Sequence, residues 1–281
     1  MSTKTTNKGS TVDAIMAQYE ANKPKERVEY QKIDRTELLK KYFNPFLEPK
    51  QKTGEFTFRI LPTDEGSPFV EAHFHQIKVN GKWEKIYCPK HNDGDDCPIC
   101  NAEEALKSTG SKEDKELSKT YRASKFYIVK GIDKEKTEDG VKFWRFKHNY
   151  KQQGAFDKII PIFGKRGDIT DPINGCDLTI TLGRDDKGFG VVTSVIPDIP
   201  GKLSDDNTEL KLWVNDKLTW KDVFRSKGEE YLQAVVEGRA PYWDDSQKKY
   251  ITPGKTPVKK TTTVVSDDFE DATPGVDDMP F

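Results

Sequence analysis

The chain has 281 residues, of which 34% are hydrophobic and 33% are charged, a polar balance that predicts long solvated segments around a modest core. It contains no run of about 18 apolar residues, which excludes a membrane-spanning helix. Its first residues, MSTKTTNKGS, lack the pattern of a signal peptide, so we expect a cytosolic protein with reduced thiols.

The formal net charge of −1 hides a segregation of charge along the chain. Six acidic residues and no Lys or Arg fall between Val264 and Phe281, which leaves a net charge of +5 on residues 1–263. A basic body beside an acidic tail indicates that the body binds a polyanion. The alternative is a tail that only improves solubility.

The N-terminal part of the chain predicts two short helices separated by a linker. Thr11 can cap a helix whose apolar residues follow helical spacing as far as Tyr19. A helix this short is marginal in water, so it needs either the protein's own core or a neighbouring subunit to pack on. A charged linker containing Pro24 follows, and Asp34 begins a second helix that ends before Pro45.

After a strand predicted from the alternation in Phe56–Ile60, potential metal ligands concentrate between His73 and Cys100. This stretch holds three of the four cysteines and three of the four histidines. Cys97-Pro-Ile-Cys100 is a C-x2-C pair, and Cys88 lies nine residues before Cys97. Thiolate and imidazole are the ligands that zinc prefers, and four of them make a closed structural site. The spacing therefore predicts one structural zinc ion.

A β-hairpin is predicted to deliver the fourth ligand. Asn80-Gly81 is the preferred pair for a two-residue type I′ turn. Counting outward from this turn places His75 and His73 on the same face as Cys88, because alternate residues share a face. His91 also competes, since it follows Cys88 at C-x2-H spacing. The strand count therefore leaves His73, His75 and His91 as alternatives.

The same stretch argues against catalysis by the metal. The H-x-E triplet of zinc deaminases does not occur in the chain. The acids that a zinc-dependent nuclease would have to use, Asp93, Asp95 and Asp96, are spaced like those of a loop. Cys176 stands apart from the cluster and is predicted to be a small core residue.

Two further predicted strands, Tyr121–Ile132 and Val141–Tyr150, combine aromatic and basic residues. Phe126 and Tyr127 are adjacent, as are Phe143 and Trp144, so the members of each pair point to opposite faces of a strand. One ring of each pair is then left for a ligand, and exposed rings beside cations are typical of single-stranded nucleic-acid binding. The alternative is a strand packed on both faces.

Strands are also predicted at Lys158–Phe163, Asp177–Gly183 and Phe189–Ile196. At least seven short strands thus fall between residues 54 and 196, which favours a β-barrel or sandwich and especially an OB-type barrel. After them the pattern changes to helix, for example at Glu229–Val236.

The sequence of the metal hairpin resembles that of a known protein family. It follows the order His-x12-Cys-x8-Cys-x2-Cys, with an Asn-Gly-Lys-Trp turn between the first two ligands. In this it resembles the zinc-containing single-stranded DNA-binding, or helix-destabilising, proteins of T-even-type bacteriophages. The likeness extends more weakly over residues 54–190, where Arg59 with Leu61-Pro62 is similar to the family's first core strand and Phe143–Phe146 to its aromatic and basic strand. The resemblance selects as metal ligands His75, Cys88, Cys97 and Cys100.

The resemblance implies a mainly β fold with flanking helices, in which an OB-fold-type barrel core holds an inserted zinc-binding subdomain at about residues 71–107. It further implies an N-terminal cooperativity segment at residues 1–22, a single-stranded DNA-binding core at residues 23–252, and a linker with a disordered acidic protein-interaction tail at residues 253–281. The family's basic N-terminal motif is reduced here to Lys4-Thr5-Thr6.

The tip of the tail is similar to the acidic, Pro-Phe-ending tip of bacterial single-stranded DNA-binding proteins. In those proteins the terminal Phe and its carboxylate dock in basic pockets of repair and replication partners. The corresponding partner-binding residues here are Asp277, Asp278, Met279, Pro280 and Phe281.

The predicted function is sequence-independent binding of single-stranded DNA, without catalysis, in the cytoplasm of an infected bacterial host. The protein would coat and protect unpaired DNA in phage replication, recombination and repair, self-associate along it, and recruit partners through a tail that competes for the DNA groove. The alternatives are a zinc-stabilised adaptor, an RNA-binding protein or a zinc-dependent nuclease. Predicted stacking residues are Tyr121, Phe126, Tyr127, Trp144, Phe146 and Phe189; predicted phosphate contacts are Arg122, Lys125, Lys142, Arg145 and Lys147.

Overall fold

The computed structural model describes residues 35–64, 66–244 and 249–251. The predicted N-terminal helix and the acidic tail lie outside these residues. Among the described residues, every helix falls short of the length and apolar character that crossing a bilayer requires.

In the part of the chain that the structure describes, ten β-strands carry the fold. Eight of them form one mixed sheet, and the last two form a separate hairpin. The strands are β1 (Tyr42–Phe43), β2 (Thr53–Ile60), β3 (Phe69–Val79), β4 (Lys82–Tyr87), β5 (Ala123–Asp133), β6 (Val141–Lys147), β7 (Leu178–Arg184), β8 (Gly190–Pro197), β9 (Tyr242–Asp244) and β10 (Lys249–Ile251).

Within the described ranges, eight α-helices connect and cover these strands. They are α1 (Arg35–Lys40), α2 (Pro89–Asp93), α3 (Pro98–Ser108), α4 (Lys112–Tyr121), α5 (Ala155–Arg166), α6 (Asn207–Val214), α7 (Trp220–Val223) and α8 (Glu229–Val236). The predicted mainly β fold with flanking helices is therefore confirmed.

The large sheet is open rather than a closed barrel. Its main path runs β1-β6-β5-β2-β7-β8, and β3 pairs with both β4 and β5. The short strand β1 pairs in parallel with β6 and so occupies the edge that a barrel would have to present to β8. The predicted OB-type barrel is corrected in this respect.

Both faces of the sheet are packed. On one face Phe126, Ile128 and Phe143 are buried together with Trp213 and Phe224 from the C-terminal helical region. On the other face the buried residues include Tyr127, Trp144 and Phe146 from the sheet and Ile159 and Ile162 from α5. Adjacent aromatic residues therefore point to opposite faces, as expected, and each finds a core.

The predicted strand at Lys158–Phe163 is wrong, because this segment lies within α5. The backbone N–H of Gly154 donates a hydrogen bond of 3.1 Å to the carboxylate of Asp157 at the start of the helix. Ala155, Ile159 and Ile162 then follow helical spacing and are buried against the sheet. Its short apolar run, which contains Pro161, also fits the pattern of a strand, and this led to the incorrect prediction.

A buried arginine joins β2 to the loop before β7 and to the segment after β8. The Arg59 side chain is 2% exposed and forms an ion pair of 3.1 Å with Asp177. It also donates hydrogen bonds of 2.8 and 3.0 Å to the carbonyl oxygens of Asp171 and Gly201. Since a buried guanidinium must be paired to be stable, this cluster fixes the two loops against the sheet.

A candidate metal centre and nucleic-acid surface

The β3–β4 hairpin places the first ligand of the metal centre. Its turn, Asn80-Gly81, has φ of 51° and 80°, as the predicted type I′ turn requires. The register pairs His75 with Ile86, as outward counting from the two-residue Asn80-Gly81 turn requires. Beyond the hairpin, Cys88 directly precedes α2. These local geometries bring the strand histidine and the first thiol to one place.

The C-x2-C pair is presented by the start of α3. Cys97 is the residue before the helix and Cys100 lies in its first turn, with Pro98 between them at a position where proline suits a helix. All four side chains, His75, Cys88, Cys97 and Cys100, are buried, and their potential ligand atoms lie within 4.8 Å of one another.

The spacing of these atoms fits a tetrahedral metal. The Sγ atoms of Cys88 and Cys100 are 3.5 Å apart. Nε2 of His75 lies 3.4 Å from Sγ of Cys97 and 3.7 Å from Sγ of Cys100. Bonds of about 2.3 Å to sulfur and about 2.0–2.1 Å to nitrogen would place tetrahedral ligand atoms about 3.5–3.8 Å apart. The cluster could therefore hold a metal ion.

The surroundings prepare His75 and Cys97 for this role. Nδ1 of His75 lies 2.7 Å from the backbone oxygen of Tyr121, so a proton on Nδ1 leaves Nε2 directed at the thiols. Burial disfavours the imidazolium, but hydrogen bonds to Cys88 and Cys97 outweigh it and raise the pKa of His75 to about 9, so a metal ion that binds Nε2 has to displace a proton from it. Hydrogen bonds from the thiols of Cys100 and Cys88 lower the pKa of Cys97, which favours the thiolate that metals bind.

The other two histidines of the stretch form a separate pair. The rings of His73 and His91 have centroids 5.1 Å apart. Asn92 holds the backbone of His73 through two hydrogen bonds of 2.8 Å. Burial and the neighbouring His91 lower the pKa of His73. The structure thus brings His75, and neither His73 nor His91, to the three thiols.

Helix α8 covers the metal cluster. The sequence alone did not predict this contact. Tyr231, Leu232 and Val235 from α8 are buried in one cluster with the three cysteines. In addition, Nζ of Lys227 lies 2.6 Å from the carboxylate of Glu84 on β4. The helical pattern of α8 was evident from the sequence, but the partner of its apolar face was not.

Most of the predicted DNA-contacting residues on β5 and β6 are buried. The rings of Phe126, Tyr127, Trp144 and Phe146 are between 1% and 5% exposed. They form the two cores on either side of the sheet.

Two of the predicted cations on β6 are buried as well. Lys142 lies 2.9 Å from the carboxylates of both Asp133 and Asp139. The guanidinium of Arg145 lies 4.5 and 4.7 Å from the ring centroids of Phe74 and Phe224. In this structure both cations serve the interior of the fold.

The remaining predicted contacts reach solvent to different degrees. Arg122 is exposed, whereas Tyr121, Lys125, Lys147 and Phe189 are partly buried. Lys125 also forms an ion pair of 2.6 Å with Glu71, which raises the pKa of Lys125. The predicted tail residues from Asp277 to Phe281 lie outside the described part of the chain.

A cleft of about 430 Å³ lies between the segment after β1, the β5–β6 turn and the β7–β8 turn. Five aromatic residues line it: Tyr42 and Phe43, which are buried, and Phe46, Phe56 and Phe189. The charged residues of its lining are Lys136, Lys142, Arg184, Asp133 and Glu135, and Lys142 is paired with Asp133. Phe46 is 47% exposed.

Arg184 connects two of the segments that line the cleft. Its guanidinium donates hydrogen bonds to the backbone oxygens of Gln51, Glu48 and Gly188 at 2.9, 2.8 and 2.6 Å. These bonds tie the segment before β2 to the β7–β8 turn. The sequence reading found Phe189 and Lys142 but missed the other lining residues, since no short-range pattern places them together.

A protein-family model described as "gp32 DNA binding protein like" matches residues 52–217 of the chain. No curated protein matches the chain. The matched residues include the four clustered ligands and most of the large sheet, and they end before α7 and α8.

Proposed function

Because the chain belongs to the gp32-like DNA-binding protein family, we propose that it binds single-stranded DNA independently of base sequence and catalyses no reaction. The family match over residues 52–217 is the observation that carries this proposal. The finer role follows from it: coating and protecting unpaired DNA in phage replication, recombination and repair, in the cytoplasm of an infected bacterial host.

The ring-lined cleft supports the proposed binding mode. Bases of an unpaired strand stack on aromatic rings, and phosphates meet nearby cations. Phe46, Phe56 and Phe189 offer such rings, whereas the buried rings of β5 and β6 stabilise the scaffold. Arg122 and Lys147 remain proposed phosphate contacts at the end of the strands opposite the β5–β6 turn.

We propose zinc as the metal of the His75 cluster, with a structural role. A set of three thiolates and one imidazole suits zinc and fills its tetrahedral coordination. The acids of the neighbouring loop are also engaged elsewhere. Asp93 accepts a hydrogen bond of 2.7 Å from the Tyr87 hydroxyl and pairs with Lys221, and Asp96 accepts from Asn101. These contacts favour a structural centre over the nuclease alternative.

The test is a salt-titrated measurement of oligo-dT binding by fluorescence anisotropy. We expect binding without base preference, and the logarithm of the association constant should fall linearly with the logarithm of salt concentration. Each phosphate contact contributes about −0.7 to that slope for a single strand. A folded protein that ignores oligo-dT at low salt would refute the proposal. Tighter binding of the matching RNA would favour the RNA-binding alternative.

A further inference from the structure

The tip of the metal hairpin exposes an indole. Of the four tryptophan side chains that the structure describes, Trp83 is the most exposed, at 37%, whereas Trp144 and Trp213 are buried. Lys78 and Lys82, close to Trp83 at the same turn, are exposed too. A single exposed ring is common on protein surfaces, so it is the charged side chains around Trp83 that point to a ligand.

The strand register assigns these side chains to two faces. Lys78 is paired with Trp83, and Gln76 is paired with Lys85, so these four side chains share one face of the hairpin. The opposite face carries Ile77, Val79, Lys82, Glu84 and Ile86.

The second face is already covered by α8. Val79 and Ile86 are buried in one cluster with Tyr231 and Leu232. Glu84 accepts a hydrogen bond of 2.8 Å from the Tyr231 hydroxyl. The face that carries Trp83 is thus directed away from α8, and at the tip it exposes Lys78 and part of the Trp83 ring.

The outward face is positive as well as aromatic. Between Gln76 and Lys85 the only acid is Glu84, and it lies on the covered face with Lys227. A partly exposed indole on the same face as Lys78 and Lys85 matches the chemistry of an unpaired nucleotide, because the base can stack while its phosphates meet the cations.

The platform is also preorganised. The base of β3 pairs with β5 from Phe69 to His75, and His75 belongs to the metal cluster. The Glu84 contacts fix the tip from its other side. A ring held by a rigid hairpin loses little conformational freedom when a base stacks on it.

We propose that the Lys78–Trp83–Lys85 face is a second contact for single-stranded DNA, separate from the cleft. It rests on the proposed function and extends it. The tip projects past Ala123 at one end of β5, whereas the cleft includes Asp133 at the other. About 33 Å of strand separates these ends, so one DNA strand that reaches both must run along the sheet.

The test uses full-length Trp83→Phe and Trp83→Ala, with DNA affinity read from labelled oligo-dT and stacking read from tryptophan emission. We expect oligo-dT to quench the emission of the unmodified protein, and Trp83→Phe to lose most of that quenching while still binding. Trp83→Ala should bind at least about fivefold more weakly. Melting temperature and metal content should match those of the unmodified protein, because Trp83 contributes little to the core.

A charge test is independent of the ring. Lys78→Gln/Lys85→Gln should reduce the magnitude of the salt slope by about 1.4, the share of two phosphate contacts on a single strand. The matched control is Lys165→Gln/Lys211→Gln, which removes two exposed cations elsewhere and should leave the slope unchanged.

The outcomes separate the two proposals. Failure of the unmodified protein to bind oligo-dT would overturn the proposed function itself. If the unmodified protein binds with a steep salt dependence, while the Trp83 and lysine variants keep its affinity, quenching and slope, the hairpin inference is wrong and the proposed function stands.

Discussion

His75 and His73 lie two positions apart on one strand, yet their surroundings differ completely. Nε2 of His75 points at the thiols and Nδ1 at a backbone carbonyl. His73 instead pairs with His91. Strand alternation left His73 and His75 open, because it fixes a face but not the distance along that face, and the C-x2-H spacing added His91.

We expect about one zinc ion per chain in the purified protein. His75→Ala and Cys97→Ser should each lower the metal content strongly, because three ligands leave a coordination position open. The matched controls are His73→Ala and Cys176→Ser, which remove a histidine and a thiol outside the cluster. Elemental analysis of the purified variants measures the outcome. Full metal content in His75→Ala would contradict the assignment of this ligand.

For the aromatic residues of β5 and β6, the residue pattern predicts the face of the sheet but not what packs against it. The sequence correctly indicates that Phe143 and Trp144 face opposite sides of the sheet. It cannot show that α5 covers one side and the C-terminal helical region the other, since those partners are distant in sequence. The expectation of a ring left over for DNA therefore does not hold for either pair in this structure.

At the scale of elements, the sequence predicts secondary structure best where neighbouring residues alone determine the backbone conformation. The Asn80-Gly81 turn sets the register of the hairpin by itself, and it was predicted correctly. The segment at 158–163 was mistaken for a strand because the five-residue apolar run that it contains suits both structures. Its helical state is decided by the start of α5 at Gly154 and by burial against the sheet.

The contact between α8 and the metal cluster can be tested by truncating one buried leucine of α8. Leu232 is 1% exposed, so Leu232→Ala should lower the free energy of unfolding by about 2–5 kcal/mol. It should also speed the loss of metal to a chelator. Leu212→Ala is the matched control, since Leu212 is 68% exposed and its truncation should change the free energy by less than about 0.5 kcal/mol.

Denaturant unfolding and the rate of metal transfer to a coloured chelator give the two measurements. Equal stability of the two leucine variants would show that α8 does not stabilise the cluster. A loss of stability without faster metal release would show that the helix is needed for the fold but does not protect the ligands.

At the scale of the whole molecule, charge is divided between two parts of the chain. Residues 1–263 carry a net charge of +5, and the last eighteen residues hold six acids without a single cation. We propose that the tail competes with DNA for the basic surface and recruits protein partners when DNA displaces it. Long-range attraction of this kind weakens as salt rises.

Deleting residues 264–281 should therefore raise the affinity for oligo-dT, with the largest gain at low salt. Deleting only residues 279–281 is the control, because it removes the Met-Pro-Phe tip and keeps all six acids. It should leave DNA affinity unchanged while weakening the capture of partner proteins. Equal DNA affinity for the full chain and the longer deletion, measured at several salt concentrations, would refute the competition.

The cover that α8 places over the cysteine cluster has a consequence for biosynthesis. The last ligand is Cys100, but the helix that shields it ends at Val236, 136 residues later. At about 5–20 residues per second, a ribosome needs roughly 7–27 s to make that stretch. If a nascent chain binds the proposed metal ion before the cluster is enclosed, that ion would hold the hairpin and the C-x2-C turn together during this interval.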